Sequence, residues 1–226
     1  MRDSGRLITF EGGDGAGKST QSLLLVSRLE SAGITVVTTR EPGGTPVGEE
    51  LRRLVKGGAD PSPRTELLMF EAARAELVQR VMRPAIERGE TVVADRYTDS
   101  SLAYQGYGRG LDLDEIRSIN AYATGGLVPD LTVLLDVLPR TGAVRSTGRD
   151  GEGAGQRRFE DAGDSFHDRV RRGYLDLASL EPDRWIVLDG SMPSALLAEK
   201  IWARVLTLLR HGNPAGGSPD RGRGRA

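Results

Sequence analysis

Five short stretches of the chain are almost continuously apolar and rich in β-branched residues. Strands that are buried on both faces, as in a parallel sheet, have this pattern, whereas half-exposed strands alternate between apolar and polar positions. The pattern therefore predicts five parallel strands, at residues 7–10, 34–39, 91–94, 131–137 and 185–188.

The segments between these runs carry apolar residues at helical spacing. Residues 19–32 have this spacing, and they are followed by Gly33, as glycine follows many helices. Ser62 and Pro63 offer an N-cap and a first-turn proline for a helix that runs past residue 80. Further helices are predicted at 165–180 and 193–209. Strands that alternate with helices predict a three-layer α/β fold, with a central parallel five-stranded sheet flanked by helices.

The composition excludes several kinds of chemistry. Without cysteine there can be no disulfide, thiol catalysis or iron–sulfur cluster, and 2 histidines are too few for a histidine-rich metal site. A net charge of -1 gives no case for a nucleic-acid or membrane partner. The N-terminus lacks the apolar core of a signal peptide, so a cytoplasmic protein is expected. We predict one domain over residues 1–210 and a disordered tail over 211–226, which has nothing large and apolar to bury.

A cluster of glycines follows the first predicted strand directly. Residues 12–19 match the P-loop pattern G-x-x-x-x-G-K-[ST]. Glycines let successive backbone N–H groups turn toward phosphate oxygens, and the positive end of the following helix adds to the attraction. Lys18 would reach the β and γ phosphates, and Ser19 would supply a hydroxyl to Mg²⁺. The predicted cofactors are ATP and Mg²⁺, and the predicted binding residues are Gly12, Gly13, Asp14, Gly15, Ala16, Gly17, Lys18, Ser19 and Thr20.

A P-loop alone leaves the reaction open, because GTPases, motors, transporters and small-molecule kinases share it. Two further loops follow the second and third predicted strands, TREPGGT at 39–45 and DRYTDSSLAYQG at 95–106. Ligands of open α/β sheets bind at the carboxyl ends of strands, so both loops are expected beside the P-loop. At this chain length, a kinase that acts on a small acceptor is the leading class.

These segments resemble thymidylate kinases, whose hallmarks are the P-loop, a TREPGGT loop, a DR(Y/F/H)xxSxxAYQG segment and an LLxFxAxR helix. The last motif reads LLMFEAAR here, at 67–74, and the resemblance covers residues 7–209. It implies the P-loop kinase fold with a mobile lid at about residues 140–160. It also implies the reaction ATP + dTMP giving ADP + dTDP, and a homodimer.

Two arginines are candidates for binding the acceptor phosphate. Arg96 and Arg40 are guanidinium forks near the P-loop, a geometry suited to an anionic group. For Arg96, phosphate contact is favoured over a surface ion pair, whereas for Arg40 the two interpretations are balanced. The resemblance implies that Arg96 grips the dTMP phosphate and that Asp14 accepts a hydrogen bond from the 3′-hydroxyl.

The base pocket is identified by the resemblance, because the pattern alone would place Phe70 in the core. The family implies that Phe70 stacks on thymine and that Arg74, on the same helix face, hydrogen-bonds to the base. It also implies a cis peptide before Pro42. Residues implied to line the same pocket are Pro42, Ser101, Tyr104 and Gln105, with Tyr104 disfavouring a ribose 2′-hydroxyl.

Two aspartates could hold the Mg²⁺ shell. Asp95 and Asp136 both end an apolar run, as a Walker B carboxylate does. The family alignment favours Asp95, and Asp136 is the alternative.

The predicted chemistry needs cations but no base. A phosphate monoester is already largely anionic at neutral pH, so positioning and charge neutralisation dominate. Gly15 stands where some thymidylate kinases carry an arginine, so the missing charge should come from the lid, from Arg149 or else from Arg145 or Arg158. The lid departs from the family pattern through a glycine-rich insertion at 151–156. The predicted catalytic residues are Lys18, Arg149, Arg96 and Asp14.

Two other functions remain open on the sequence. One is a different nucleoside monophosphate kinase, acting on dUMP, UMP, CMP or AMP. The other is a P-loop protein that binds ATP without transferring phosphate, as a switch.

Overall fold

The computed structural model describes residues 5–57, 60–146 and 163–210. Within these residues, five parallel strands form one sheet in the order β2-β3-β1-β4-β5. The strands are β1 (Leu7–Glu11), β2 (Val36–Arg40), β3 (Thr91–Asp95), β4 (Leu131–Asp136) and β5 (Trp185–Asp189). The predicted parallel five-stranded α/β fold is confirmed.

Strand β1 lies at the centre of the sheet, and its side chains are buried on both faces. Ile8 is paired in register with Val93 of β3 and with Leu131 of β4, and all three are fully buried. Burying apolar area of this kind is the main source of the stability of such a sheet. The carboxyl ends of β1, β3 and β4 therefore open at one edge of a rigid core, and the loops that follow them meet there.

Helices flank the sheet, and within the described residues four of them were not predicted, at 46–56, 98–101, 113–124 and 139–146. Capping side chains explain where the two longest of these begin: the Thr45 hydroxyl accepts from Gly48 N–H before α2, and the Asp112 carboxylate accepts from Asp114 and Glu115 before α6. The helices are α1 (Lys18–Ser31), α2 (Pro46–Lys56), α3 (Pro63–Leu77), α4 (Arg83–Glu87), α5 (Thr98–Ser101), α6 (Leu113–Thr124), α7 (Pro139–Ser146), α8 (Asp164–Leu180) and α9 (Ser194–Arg210).

In the part of the chain that the structure describes, two π-helical segments interrupt the helical runs. Val78–Met82 joins α3 to α4, so the helix that begins after the Ser62 cap does continue past residue 80. Leu102–Gly108 extends α5 and carries the second half of the loop that follows β3. Segments of this kind are rare and frequent at functional sites.

The predicted lid differs from expectation at its beginning. Residues up to Ser146 form α7, which starts where Leu138 O accepts from Thr141 N–H and Gly142 N–H. The rest of the predicted lid, through residue 160, and the predicted tail at 211–226 lie outside the described residues. The division into a domain over 1–210 and a tail stays a prediction. No helix in the described part of the chain has the length and apolar character to cross a membrane.

Candidate active site

The loop between β1 and α1 folds back so that Lys18 contacts backbone carbonyl groups of the same loop. Gly12 has φ 133°, and a Cβ there would lie 2.4 Å from the Leu135 carbonyl oxygen, so only glycine fits. The Lys18 ammonium donates to the carbonyl oxygens of Gly12 at 3.1 Å and Gly13 at 2.8 Å. Burial, and next the positive charge of Arg96, lower the pKa of Lys18 to about 8.

Arg96 occupies a strained position at the carboxyl end of β3. Its φ is 75°, and its N–H donates to Phe10 O at 2.9 Å, so the turn is pinned to β1. Its Nη2 donates to Asp14 Oδ1 at 2.7 Å and to the Tyr104 hydroxyl at 3.1 Å. Although burial raises it, the pKa of Asp14 is lowered overall by Arg96 and Lys18.

A cavity of about 210 Å³ lies between the P-loop, α2, α3 and the loops that follow β2 and β3. The structure brings every predicted substrate residue to this cavity: Asp14, Arg40, Pro42, Phe70, Arg74, Arg96, Ser101, Tyr104 and Gln105. Gly15, Gly17, Lys18, Ser19 and Asp95 line it as well. Phe70 is half-buried in this wall and not enclosed in the core, so the pattern-based core interpretation is wrong.

Other predicted nucleotide-binding residues lie around the P-loop. Gly12 and Gly13, together with Asp14, line a second cavity between the P-loop, β4 and α8. Ala16 is buried under the loop, and Thr20 is exposed on α1.

Arg74 is the most enclosed cation of the pocket. Its side chain is 1% exposed, and its Nε and Nη2 donate to Glu41 Oε2 at 2.8 and 2.7 Å. Its Nη1 donates to Glu71, to Asn120 Oδ1 at 2.6 Å and to Ser101 Oγ at 3.0 Å. A base would have to share these donors, so the hydrogen bond from Arg74 to thymine stays a prediction.

Glu41 is a further carboxylate in the pocket wall that the sequence analysis did not assign. Burial raises its pKa to about 7, although Arg74 lowers it. Its second oxygen, Oε1, is buried without a hydrogen-bond partner among the described residues. The peptide from Glu41 to Pro42 is cis, as the family resemblance implies, and Arg52 donates to Pro42 O at 2.9 Å.

Two cations of α2, Arg52 and Lys56, also line the cavity. They are four residues apart and therefore share one helix face. Neither residue is among the predicted site residues, because no helix was predicted at 46–56. The signal was present in the Thr45 cap followed by proline, and in Lys56 as one of only three lysines in the chain. Arg40, by contrast, is 55% exposed and lies 3.6 Å from Glu49.

The two candidate metal aspartates have different surroundings. Ser19 Oγ donates to Asp95 Oδ2 at 2.7 Å, so the P-loop hydroxyl and this carboxylate converge. Asp136 accepts two hydrogen bonds from Arg171, at 2.6 and 2.7 Å, and both its oxygens are engaged. The geometry favours Asp95. No cluster of three or more acidic or histidine ligands occurs in the described part of the chain, so these two groups would need phosphate and water to complete a shell.

Helix α7 packs directly on the P-loop. A Cβ on Gly15 would lie 2.1 Å from Gly142 O, and one on Gly142 would lie 2.3 Å from Asp14 O. Arg145 of α7 donates to Gly190 O at 2.9 Å. Arg149 and Arg158 lie outside the described residues.

The sequence and the fold are similar to those of thymidylate kinases. The profile of the thymidylate kinase family matches residues 10–201. The thymidylate kinase of Deinococcus radiodurans is 53% identical over 203 residues, which are 89% of this chain and 96% of the relative. That of Thermomicrobium roseum is 48% identical over 205 residues, 91% of this chain and 96% of the relative. The crystal structure of thymidylate kinase from Ehrlichia chaffeensis superposes with a TM-score of 0.72 at 32% identity, covering 89% of this chain and 99% of that one.

Proposed function

Because the chain belongs to the thymidylate kinase family, it transfers a phosphoryl group from ATP to dTMP, and we propose how its residues share that work. The observation that carries the proposal is the place of Arg96, between the P-loop and the cavity that Phe70 and Arg74 line. dTMP lies in that cavity with its phosphate toward Arg96 and its thymine toward Phe70. The acceptor oxygen then faces the P-loop, as in-line transfer requires.

The donor side is the P-loop and the amino end of α1. In this proposal the loop N–H groups bind the ATP phosphates, and Lys18 exchanges the carbonyl oxygens of Gly12 and Gly13 for phosphate oxygens. A nearby phosphate raises the pKa of Lys18 from about 8, so the ammonium form is the one that acts. No base is needed, because the acceptor phosphate is largely dianionic at neutral pH.

Ser19 and Asp95 would hold Mg²⁺. A hydroxyl and a carboxylate are hard oxygen ligands, which suit this ion, and their 2.7 Å contact lies where α1 begins. When bound, Mg²⁺ would neutralise charge on the transferring phosphates. Asp136 is less suited to this role, since releasing Arg171 would break two charge-assisted hydrogen bonds.

A lid arginine supplies the remaining positive charge in this proposal. An arginine at position 15 would collide with Gly142 O of α7, so the P-loop cannot carry this charge at that position. The close contact therefore supports a lid arginine as its source. Arg149 stays the first choice, ahead of Arg145 and Arg158.

The homodimer is also a proposal. Leu54 of α2 and Leu68 of α3 are 55% and 56% exposed, and Tyr122 of α6 is 91% exposed. Helix α3 contacts both α2 and α6, so exposed apolar side chains occur on three neighbouring helices. A second copy that covers these helices would bury them. Sedimentation as a monomer at micromolar concentration would contradict it. A cytoplasmic location stays a prediction.

The proposal is tested with an acceptor panel in a coupled ADP-release assay. With ATP and Mg²⁺, turnover should be strongest with dTMP, weaker with dUMP, and weakest with UMP, dCMP and AMP. Exchanging Arg96 for alanine should weaken dTMP binding with little effect on ATP binding, because the fork faces the acceptor cavity. Unchanged dTMP affinity in that variant would refute the assignment of the phosphate to Arg96.

A further inference from the structure

Glu11 is a fully buried carboxylate that has no role in the mechanism above. It is the last residue of β1, next to the P-loop, and it is 0% exposed. Its Oε1 accepts from Tyr97 N–H at 2.8 Å. Its Oε2 accepts from the Ser100 hydroxyl at 2.6 Å and from the Tyr174 hydroxyl at 2.8 Å. A buried carboxylate is costly unless donors satisfy it, and here three donors do so.

All three donors to Glu11 also fix Arg96. Tyr97 is its chain neighbour, so the hydrogen bond to Tyr97 N–H holds the turn in which Arg96 has φ 75°. The hydroxyls of Ser100 and Tyr174 accept from Arg96 Nη1, at 3.1 and 3.2 Å. Each hydroxyl thus accepts from the guanidinium on one side and donates to the carboxylate on the other.

The arrangement joins three parts of the fold. Glu11 ends β1, Arg96 and Ser100 follow β3, and Tyr174 belongs to α8. Burial, and next the charge of Asp99, raise the pKa of Glu11 to about 7, whereas Arg96 lowers it. The carboxylate is therefore stabilised by the arginine that it helps to hold.

We infer that Glu11 is a positioning residue for the acceptor phosphate. Glu11 acts by holding Arg96 through Ser100, Tyr174 and the Tyr97 amide. This inference rests on the proposed role of Arg96. A Glu11→Gln variant keeps the shape but turns one acceptor oxygen into an amide donor, so either the two hydroxyls or the Tyr97 N–H lose their acceptor and Arg96 is held less firmly.

The test is a double-mutant cycle between Glu11→Gln and Arg96→Ala, read as dTMP and ATP affinity by calorimetry. Glu11→Gln alone should weaken dTMP binding about tenfold, the size of a lost charge-assisted hydrogen bond, with ATP affinity within about twofold. In the Arg96→Ala background the same exchange should change dTMP affinity by less than about twofold, because the guanidinium that Glu11 holds is absent. Equal weakening in both backgrounds would mean a general structural role and would overturn the inference.

Thr9→Val is the matched control. Thr9 is also fully buried on β1, two residues before Glu11, and its hydroxyl hydrogen-bonds to the Thr132 hydroxyl at 3.0 Å. The control should lower the melting temperature without changing dTMP affinity. If Glu11→Gln does not fold, Tyr174→Phe takes its place in the cycle, with a smaller weakening that also disappears without Arg96.

The cycle separates the two assignments. If Arg96→Ala by itself leaves dTMP affinity unchanged, the proposed function of Arg96 fails. If Arg96→Ala weakens dTMP binding and Glu11→Gln does not, only the positioning role of Glu11 fails.

Discussion

The contact between α7 and the P-loop makes a sharp prediction for Gly142→Ala. The new Cβ would lie 2.3 Å from the Asp14 carbonyl oxygen, whereas ordinary contact begins at 3.4 Å. Helix and loop would have to separate by about 1 Å, and neither atom belongs to a flexible side chain. Gly142 has no left-handed φ, so alanine adds no backbone strain, unlike an exchange at Gly15 with φ 72°.

We expect Gly142→Ala to lower the catalytic efficiency with ATP. A displacement of about 1 Å at a reacting centre can cost about 100-fold in rate. We expect kcat/KM for ATP to fall by about 10- to 100-fold, which corresponds to about 1.4 to 2.7 kcal/mol. The unfolding free energy should fall by about 1 to 3 kcal/mol, as for other overpacked sites. The assay is steady-state ADP release at saturating dTMP, with thermal unfolding measured in parallel.

Gly5→Ala is the matched control. A Cβ on Gly5 would lie 2.0 Å from Glu90 O, also a backbone carbonyl, but at the amino end of β1, opposite the P-loop. It should cost similar stability and leave kcat/KM unchanged. The reasoning is refuted if Gly142→Ala keeps kcat/KM within about twofold of the parent, or if both variants lose activity equally.

Three further predictions concern single charges. Asp95→Asn should raise the Mg²⁺ concentration for half-maximal rate by about tenfold or more, whereas Asp136→Asn should leave it unchanged; the reverse would exchange their roles. Glu41 holds a proton in the folded state up to a pKa of about 7, so its contribution to stability falls as pH rises from about 5 to 7. Glu41→Gln should make the decline in unfolding free energy, followed by urea titration at each pH, shallower. Arg149→Ala should lower kcat by about 1,000-fold or more with little change in dTMP KM, and a normal kcat would move the role to Arg145 or Arg158.

The central strands β1, β3 and β4 could be predicted closely because burial on both faces leaves an almost unbroken apolar run. The expected burial on both faces is wrong for the edge strands β2 and β5, which are partly exposed. β1 and β3 end one residue beyond the predicted ends, at Glu11 and Asp95. β2 was placed least well: it begins at Val36, since pairing with β3 and not apolar character sets its start. It lies at the sheet edge and is only half-buried, so its pattern carries less information.

The site residues could be predicted from sequence motifs, but the residues that form ion pairs and hydrogen bonds with them could not. The spacing of Glu71 and Arg74 on one helix face is visible in the sequence. Glu41 lies 33 residues before Arg74, and Tyr174 lies 163 residues after Glu11, and only the fold brings these pairs together. The π-helical turns are likewise set by packing, because no residue pattern distinguishes them from α-helix.

The pairing of cations with carboxylates also explains why most site cations are arginine. Arg74 is fixed by Glu41 and Glu71, and Arg96 by Asp14 and, through hydroxyls, by Glu11. A guanidinium can meet several acceptors in fixed directions, because its N–H groups lie in one plane, whereas an ammonium on a flexible stem is a point charge. Groups fixed in this way need no reorganisation when charge spreads over the transferring phosphoryl.

Lys18 has the opposite requirement. Its ammonium must leave two backbone carbonyl oxygens for phosphate oxygens in each cycle, and a compact charge on a flexible stem can change partners easily. An arginine at position 18 would keep the charge but would need space for a planar fork inside the curled loop, next to the close Gly12 contact. The site therefore combines Arg74 and Arg96, which stay in place, with Lys18, which changes partners, and this division follows from what each part of the reaction needs.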